Sequence, residues 1–168
     1  TIIGVSATDN NINGMFINGG SLTGDVTWNG PGMVYVINGT ITVPEGRKLT
    51  VAPGQVVKVT NLFSTAVPGI VVDGTLSAEG TAAQPVVFTS FRDVSVGGDT
   101  NNDAASSAPG GGDWFGLHLN ASATNNALHY AEVRYAGNTF GSSIIGGAIL
   151  SNGAPLTLTN SVIRNSAS

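Results

Sequence analysis

The feature that most constrains this chain is a succession of short apolar stretches, each about three to five residues long, broken by glycine-containing turns along its whole length. Apolar and polar residues alternate over 33–37, 40–43, 48–51, 56–59, 70–72 and 85–88. The pattern resumes over 116–119, 128–130, 132–135, 148–150, 156–158 and 161–163. A period of two places successive side chains on opposite faces of a strand. The punctuation is Asn38-Gly39, Glu45-Gly46, Pro53-Gly54 and Asp73-Gly74, residue pairs that turn the backbone where positive φ is needed. No window keeps apolar residues at helical spacing for more than about one turn. The expectation is an all-β chain of many short strands.

Internal echoes say how those strands are arranged. Residues 128–134 resemble residues 158–164, and residues 38–46 resemble residues 73–80. Repeats built from several short strands mark a solenoid, in which one coil buries its apolar face on the next. An immunoglobulin-like sandwich has longer strands spaced roughly 8–12 residues apart and no such echoes.

Composition narrows the setting. Only 10% of residues are charged, against the usual share of about 25%, and Thr, Ser, Asn and Gly take their place. The net charge of −4 and pI near 4.8 exclude nucleic-acid binding, which requires a basic stripe. There is no cysteine, so stability has to come from a continuous hydrogen-bonded core. No apolar run reaches the ~18 residues of a membrane span. Thr1-Ile2-Ile3-Gly4 lacks the basic-then-apolar pattern of a signal peptide, which reads as a mature or trimmed chain. The expected location is secreted or on a bacterial cell surface.

A family resemblance rests on particular blocks. Gly24-Asp25-Val26-Thr27-Trp28 leads into 36–46, followed by 49–59, 74–81 and 85–90. After a long polar loop comes Gly112-Asp113-Trp114-Phe115-Gly116-Leu117. Together these resemble the N-terminal part of large bacterial secreted or surface proteins with right-handed parallel β-helix repeats, the pectate-lyase-like β-solenoid superfamily. The resemblance covers roughly 20–166 and implies a right-handed parallel β-helix. Residues 1–24 are expected as an N-terminal cap or added strand, 25–168 as coils with an uncapped C-terminus, and 92–113 as a polar loop. Fold alone does not fix activity; members implied by the resemblance include adhesins, surface-layer-like proteins and carbohydrate-active enzymes.

Candidate sites are few. Asp99, Asn101 and Asp103 stand at the first three oxygen positions of a calcium loop, with Asp93 and Asp113 available to complete the shell. The remainder of the EF-hand pattern fails at Ala104 and Gly110. This loop is the one candidate site for a cofactor, Ca²⁺; the competing reading is a solvated insertion. Trp114, Tyr130 and Tyr135 offer aromatic faces to a glycan, although Trp114 beside Phe115 also suits a core plug. Arg134 and Arg164 occupy matching repeat positions, and Glu132 shares the face of Arg134, which predicts a surface ion pair. His118 and His129 alternate with leucines and are expected on the surface. Beyond Asp113 the only acidic residue is Glu132, so the C-terminal coils cannot supply the two carboxylates a glycosidase needs. The reading is therefore a non-catalytic structural or adhesive module of a bacterial surface or matrix protein, its uncapped end explained either by truncation of a longer protein, the slightly favoured alternative, or by self-association through its coil ends. Its rival is a carbohydrate-binding or polysaccharide-lyase-like domain.

Overall fold

The structure, a computed structural model, describes residues 4–30, 32–60, 68–138 and 147–167; of the expected cap segment 1–24, residues 1–3 lie outside the described residues. Every regular element among the described residues is a strand. The first coil holds β1 (Met15–Ser21) and β2 (Val26–Trp28), and the second β3 (Tyr35–Val43) and β4 (Lys48–Val51). The third holds β5 (Val56–Thr60), β6 (Ile70–Val72) and β7 (Thr75–Glu79). The fourth holds β8 (Val86–Ser90), β9 (Leu117–Leu119) and β10 (Asn126–His129). The fifth holds β11 (Ala131–Arg134), β12 (Ile149–Ser151) and β13 (Leu156–Thr159), and β14 (Val162–Arg164) begins a sixth.

Every pairing between coils is parallel, and the result is a parallel β-helix with three faces. The first face stacks β1, β3, β5, β8, β11 and β14; the second continues β1 and β3 into β6, β9 and β12; the third stacks β2, β4, β7, β10 and β13. Register puts like on like. Tyr35, Val57, Phe88, Val133 and Ile163 form one inward column, and Ile41, Ile70, Leu117 and Ile149 another. Each rung sits about 4.8 Å from the next, which makes the interior a continuous apolar cluster. Asn126 is a buried polar residue on the third face. Its Oδ1 accepts from Leu76 N at 2.9 Å and its Nδ2 donates to Pro155 O at 3.2 Å, so the side chain extends the ladder.

The two sequence echoes have different origins. Residues 128–134 and 158–164 are true rungs, with Leu128 on Leu158 and Val133 on Ile163. Residues 38–46 and 73–80 are not, since Ile41 stacks on Ile70 while Leu76 stacks on Leu49. Their likeness is turn chemistry, an amide or carboxylate followed by Gly-Thr and an apolar residue, used at two different corners. Gly74 shows the constraint: a Cβ there would lie 2.3 Å from the carbonyl oxygens of Pro44 and Arg47.

Coil length is absorbed at the corner between the first and second faces. In β3 the chain passes through Asn38-Gly39 without leaving the sheet, and Asn38 Nδ2 donates to Asn18 Oδ1 on the rung before it. In later coils the first-face strands end at Thr60, Ser90 and Arg134 and the second-face strands begin at Ile70, Leu117 and Ile149. The insertion after β8 turns back over the outer surface of the first face.

Candidate functional site

The outer surface of the first face carries the column Phe16, Val36, Lys58 and Thr89. Alternation alone places these residues in water. The insertion roofs them instead. Val34, Val36 and Phe91 form a second apolar cluster, with Ile12, Phe16 and Val56 against it. Lys58 is fully buried, and its Nζ donates to Gly98 O at 2.7 Å. Asn13 ties the N-terminal segment to the same loop through Asn13 N to Thr100 O and Nδ2 to Asp99 O.

Beside Lys58 lies a charge network joining loop to coil. Asp93, 1% exposed, accepts from Thr89 Oγ1 at 2.7 Å, Ser95 N at 3.0 Å and Arg134 Nη1 at 3.1 Å. Arg134 also pairs with Glu132, which reaches Arg164 on the next rung. Burial alone would raise the Asp93 and Glu132 carboxyls. The hydrogen bonds from Ser95, Thr89 and Arg134 to Asp93, and from Arg134 and Arg164 to Glu132, outweigh it and hold both below the usual range. The expected surface pair is thus a covered network: the side chains of Arg134 and Glu132 are only 10% and 16% exposed. The missing carboxylate partner comes from the loop, 41 residues before Arg134.

Burial lowers the Lys58 pKa from 10.5 to about 8, against the opposing pull of Asp93 and Asp99. Between those values the unfolded chain binds the extra proton, so stability rises with pH; below about 8 the penalty is constant. At 1.36 kcal/mol per unit the full rise is about 3 kcal/mol. Stability curves of the wild type and Lys58→Met, followed from pH 8 to 10.5, are expected to converge or cross only because the wild type gains. Parallel curves would show that the ammonium is not buried as described. Sequence alternation hid this lysine, and the signal that reveals it is the outward apolar pair Phe16 and Val36 in its own column.

The five calcium candidates are separately engaged. Asp93 belongs to the network above. Asp99 accepts from the backbone N–H groups of Asp103 and Ala104. Asp103 binds Ser107, whose hydrogen bond holds that carboxyl below the usual range, and accepts from Asn101 Nδ2. Asp113 accepts from Ser90 Oγ and Gly110 N and pairs with Arg92 at 3.4 Å. Among the described residues no three carboxylate, imidazole or thiol groups are placed to share an ion. Local N–H and O–H donors hold Asp93, Asp99, Asp113 and one oxygen of Asp103, while Asn101 Oδ1 and the other Asp103 oxygen accept none; with no three such groups converging among the described residues, EDTA is expected to leave the melting temperature unchanged. A calcium-dependent rise would support the metal loop.

The aromatic candidates divide. Trp114 is fully buried and donates from Nε1 to Arg134 O at 2.8 Å, so its ring is a core plug with no face open to a glycan. Tyr130 and Tyr135 are half-buried at the two ends of β11, with φ of +44° and +58°. The equivalent corners one coil later hold Asn160 and Asn165 at +50° and +58°, the residue type that tolerates this region. His129 is half-buried against Thr159. His118 departs from its expected surface position: it is 4% exposed against the Phe115 ring, and burial pushes its pKa down.

Stacked parallel coils, a ladder-filled interior and a loop folded over one outer face define a parallel β-helix protein. No curated protein and no solved structure matches the chain. A family model described as a pectate-lyase-like beta helix domain matches residues 20–148, and the chain belongs to that family.

Proposed function

We propose that this chain is a non-catalytic structural or adhesive module of an extracellular bacterial surface or matrix protein, and that it associates end to end through its last coil. The observation that carries the reading is the parallel ladder itself, whose rungs stack like on like from coil to coil in a chain only 10% charged. Leu158 is 44% and Ile163 47% exposed, while their inward counterparts one rung earlier, Leu128 and Val133, are each 1% exposed. Val162 adds a further half-exposed apolar side chain. A second copy stacked on this edge would extend the ladder and bury the column ends. Light scattering across a concentration series is expected to show growing assemblies for the wild type and a monomer for the Leu158→Lys, Ile163→Lys double variant. A wild type that stays monomeric throughout would overturn end-to-end association.

The rival is a carbohydrate-binding or polysaccharide-lyase-like domain, favoured by the family description and by Arg134 and Arg164 in register on one outer face. Against catalysis, Arg134 is held by Asp93, Glu132 and Ser95 beneath the loop. Turnover of a polysaccharide that disappears with Arg164→Ala would favour the rival.

A further inference from the structure

We propose that Asn152-Gly153, at the corner after β12, is a self-modification site, where Asn152 converts to aspartate and isoaspartate with water as the only co-reactant. The backbone nitrogen of Gly153 attacks Cγ of Asn152 and a C–N bond forms. The side-chain amide takes up the proton of the attacking N–H and leaves as ammonia, which closes a cyclic imide. Water then opens the ring at either carbonyl. One opening restores the main chain with a carboxylate side chain, and the other routes the main chain through the side-chain carbon. Glycine in the second position favours closure, since it has no Cβ to crowd the approach and its backbone turns freely.

The chain carries five Asn-Gly pairs, at 13–14, 18–19, 29–30, 38–39 and 152–153, and the fold sorts them. Closure needs an uncommitted backbone N–H, a side chain free to turn, and a main chain that can rotate to bring the two together. Asn13 is held at both ends of its amide: Oδ1 accepts from Asn10 N at 2.9 Å and Nδ2 donates to Asp99 O at 3.1 Å. Asn18 and Asn38 lie inside β1 and β3, in register with each other and joined by their side chains. Rotating either would break the ladder. At Asn29 the nucleophile is already engaged, because the buried Gly30 N donates to Gln55 Oε1 at 2.9 Å.

Asn152-Gly153 has none of these restraints. Both residues are exposed and follow the end of the strand. Asn152 N donates to Leu119 O, but among the described residues neither the Asn152 side chain nor the Gly153 N–H makes a hydrogen bond. The place where a Cβ of Gly153 would stand is open. Ser151 Oγ donates to Ala154 O at 2.8 Å across the turn, so the two middle residues can rotate between anchored neighbours. Main-chain donors at this corner run toward the preceding coil, as Asp73 N to Val43 O, Asn120 N to Val72 O and Asn152 N to Leu119 O show. A coil stacked on the other side would therefore use carbonyls here and leave the Gly153 N–H uncommitted.

Each event adds one negative charge to a chain of formal charge −4. Asn120, at the same corner one coil earlier, already gives its Nδ2 to Asp73 Oδ1 at 2.9 Å. The aged chain is thus a more acidic form that anion exchange separates.

The test is incubation of the full folded chain in mildly alkaline buffer, with peptides mapped for the one-dalton mass gain and for isoaspartate by electron-transfer fragmentation. Asn152 is expected to convert at least roughly tenfold faster than each of the other four, a factor of the order at stake when a buried donor must give up its acceptor. In urea all five pairs are expected to react, because the fold no longer protects four of them. Asn152→Ser, at an exposed corner, is expected to remove the early acidic form without disturbing folding. The proposal fails if folded Asn152 stays intact over a period in which the unfolded chain converts, or if another pair keeps pace with it. An acidic form that accumulates equally fast in Asn152→Ser would overturn it too.

Discussion

Asp93→Ala is expected to lower stability by about 3 kcal/mol, near the lower end of the range for removing one partner of a buried ion pair. The lower end applies because Arg134 keeps Glu132. Asp93 is nonetheless the carboxylate that joins the insertion to β8 and β11, through Thr89 and Arg134. For a chain of this length the loss corresponds to a fall in melting temperature on the order of 6–12 °C. Thermolysin is expected to cut the variant within 96–111 while the coils stay intact. The depressed Asp93 pKa adds a pH signature: its stabilisation is complete above the unfolded value of 3.8 and is lost as pH falls through the folded value. A variant with wild-type melting and protease resistance would show that the loop is held by its apolar contacts alone.

Trp114→Ala is expected to cost about 4 kcal/mol, the usual range for deleting a buried tryptophan, and to lower melting on the order of 8–16 °C. Two terms contribute. The ring fills the start of the fourth coil's second face, and its Nε1 satisfies the buried Arg134 carbonyl. Trp114→Phe separates them, since it keeps most of the packing and leaves the carbonyl unpaired, a loss of roughly 1–3 kcal/mol. A Trp114→Phe variant as stable as the wild type would show that the Arg134 carbonyl does not depend on the indole N–H.

How far the sequence could be read follows from the range of the interactions involved. Strands such as β4, β5 and β6 were visible because alternation is local. The rung-on-rung register of 128–134 with 158–164 was visible because the turn from the third face to the first keeps its length there, so one offset relates both strands. Residues 38–46 and 73–80 misled because corner chemistry repeats more faithfully than core residues do. β1 falls in the segment expected as a cap or added strand, and only the fold shows it running through Asn18-Gly19-Gly20 in register with β3. The burial of Lys58 and the pairing of Asp93 with Arg134 were not legible, since both depend on where a 26-residue-scale insertion lands, and alternation says only which side of a strand faces out. Asn101 was noticed for its oxygen, but as a metal ligand; only the folded loop shows what its amide is bonded to.

The corner between the first and second faces has a practical meaning. Main-chain ladders clamp the chain on both sides of it, and the coils stack whether the detour between them is Asn38-Gly39 or the whole of 91–116. Lengthening a flexible loop is thermodynamically mild, about 0.6 kcal/mol per doubling. The helix thus behaves as a rack with interchangeable slots along one edge, where new recognition elements can be inserted, lost or exchanged coil by coil while the rack itself stays the same.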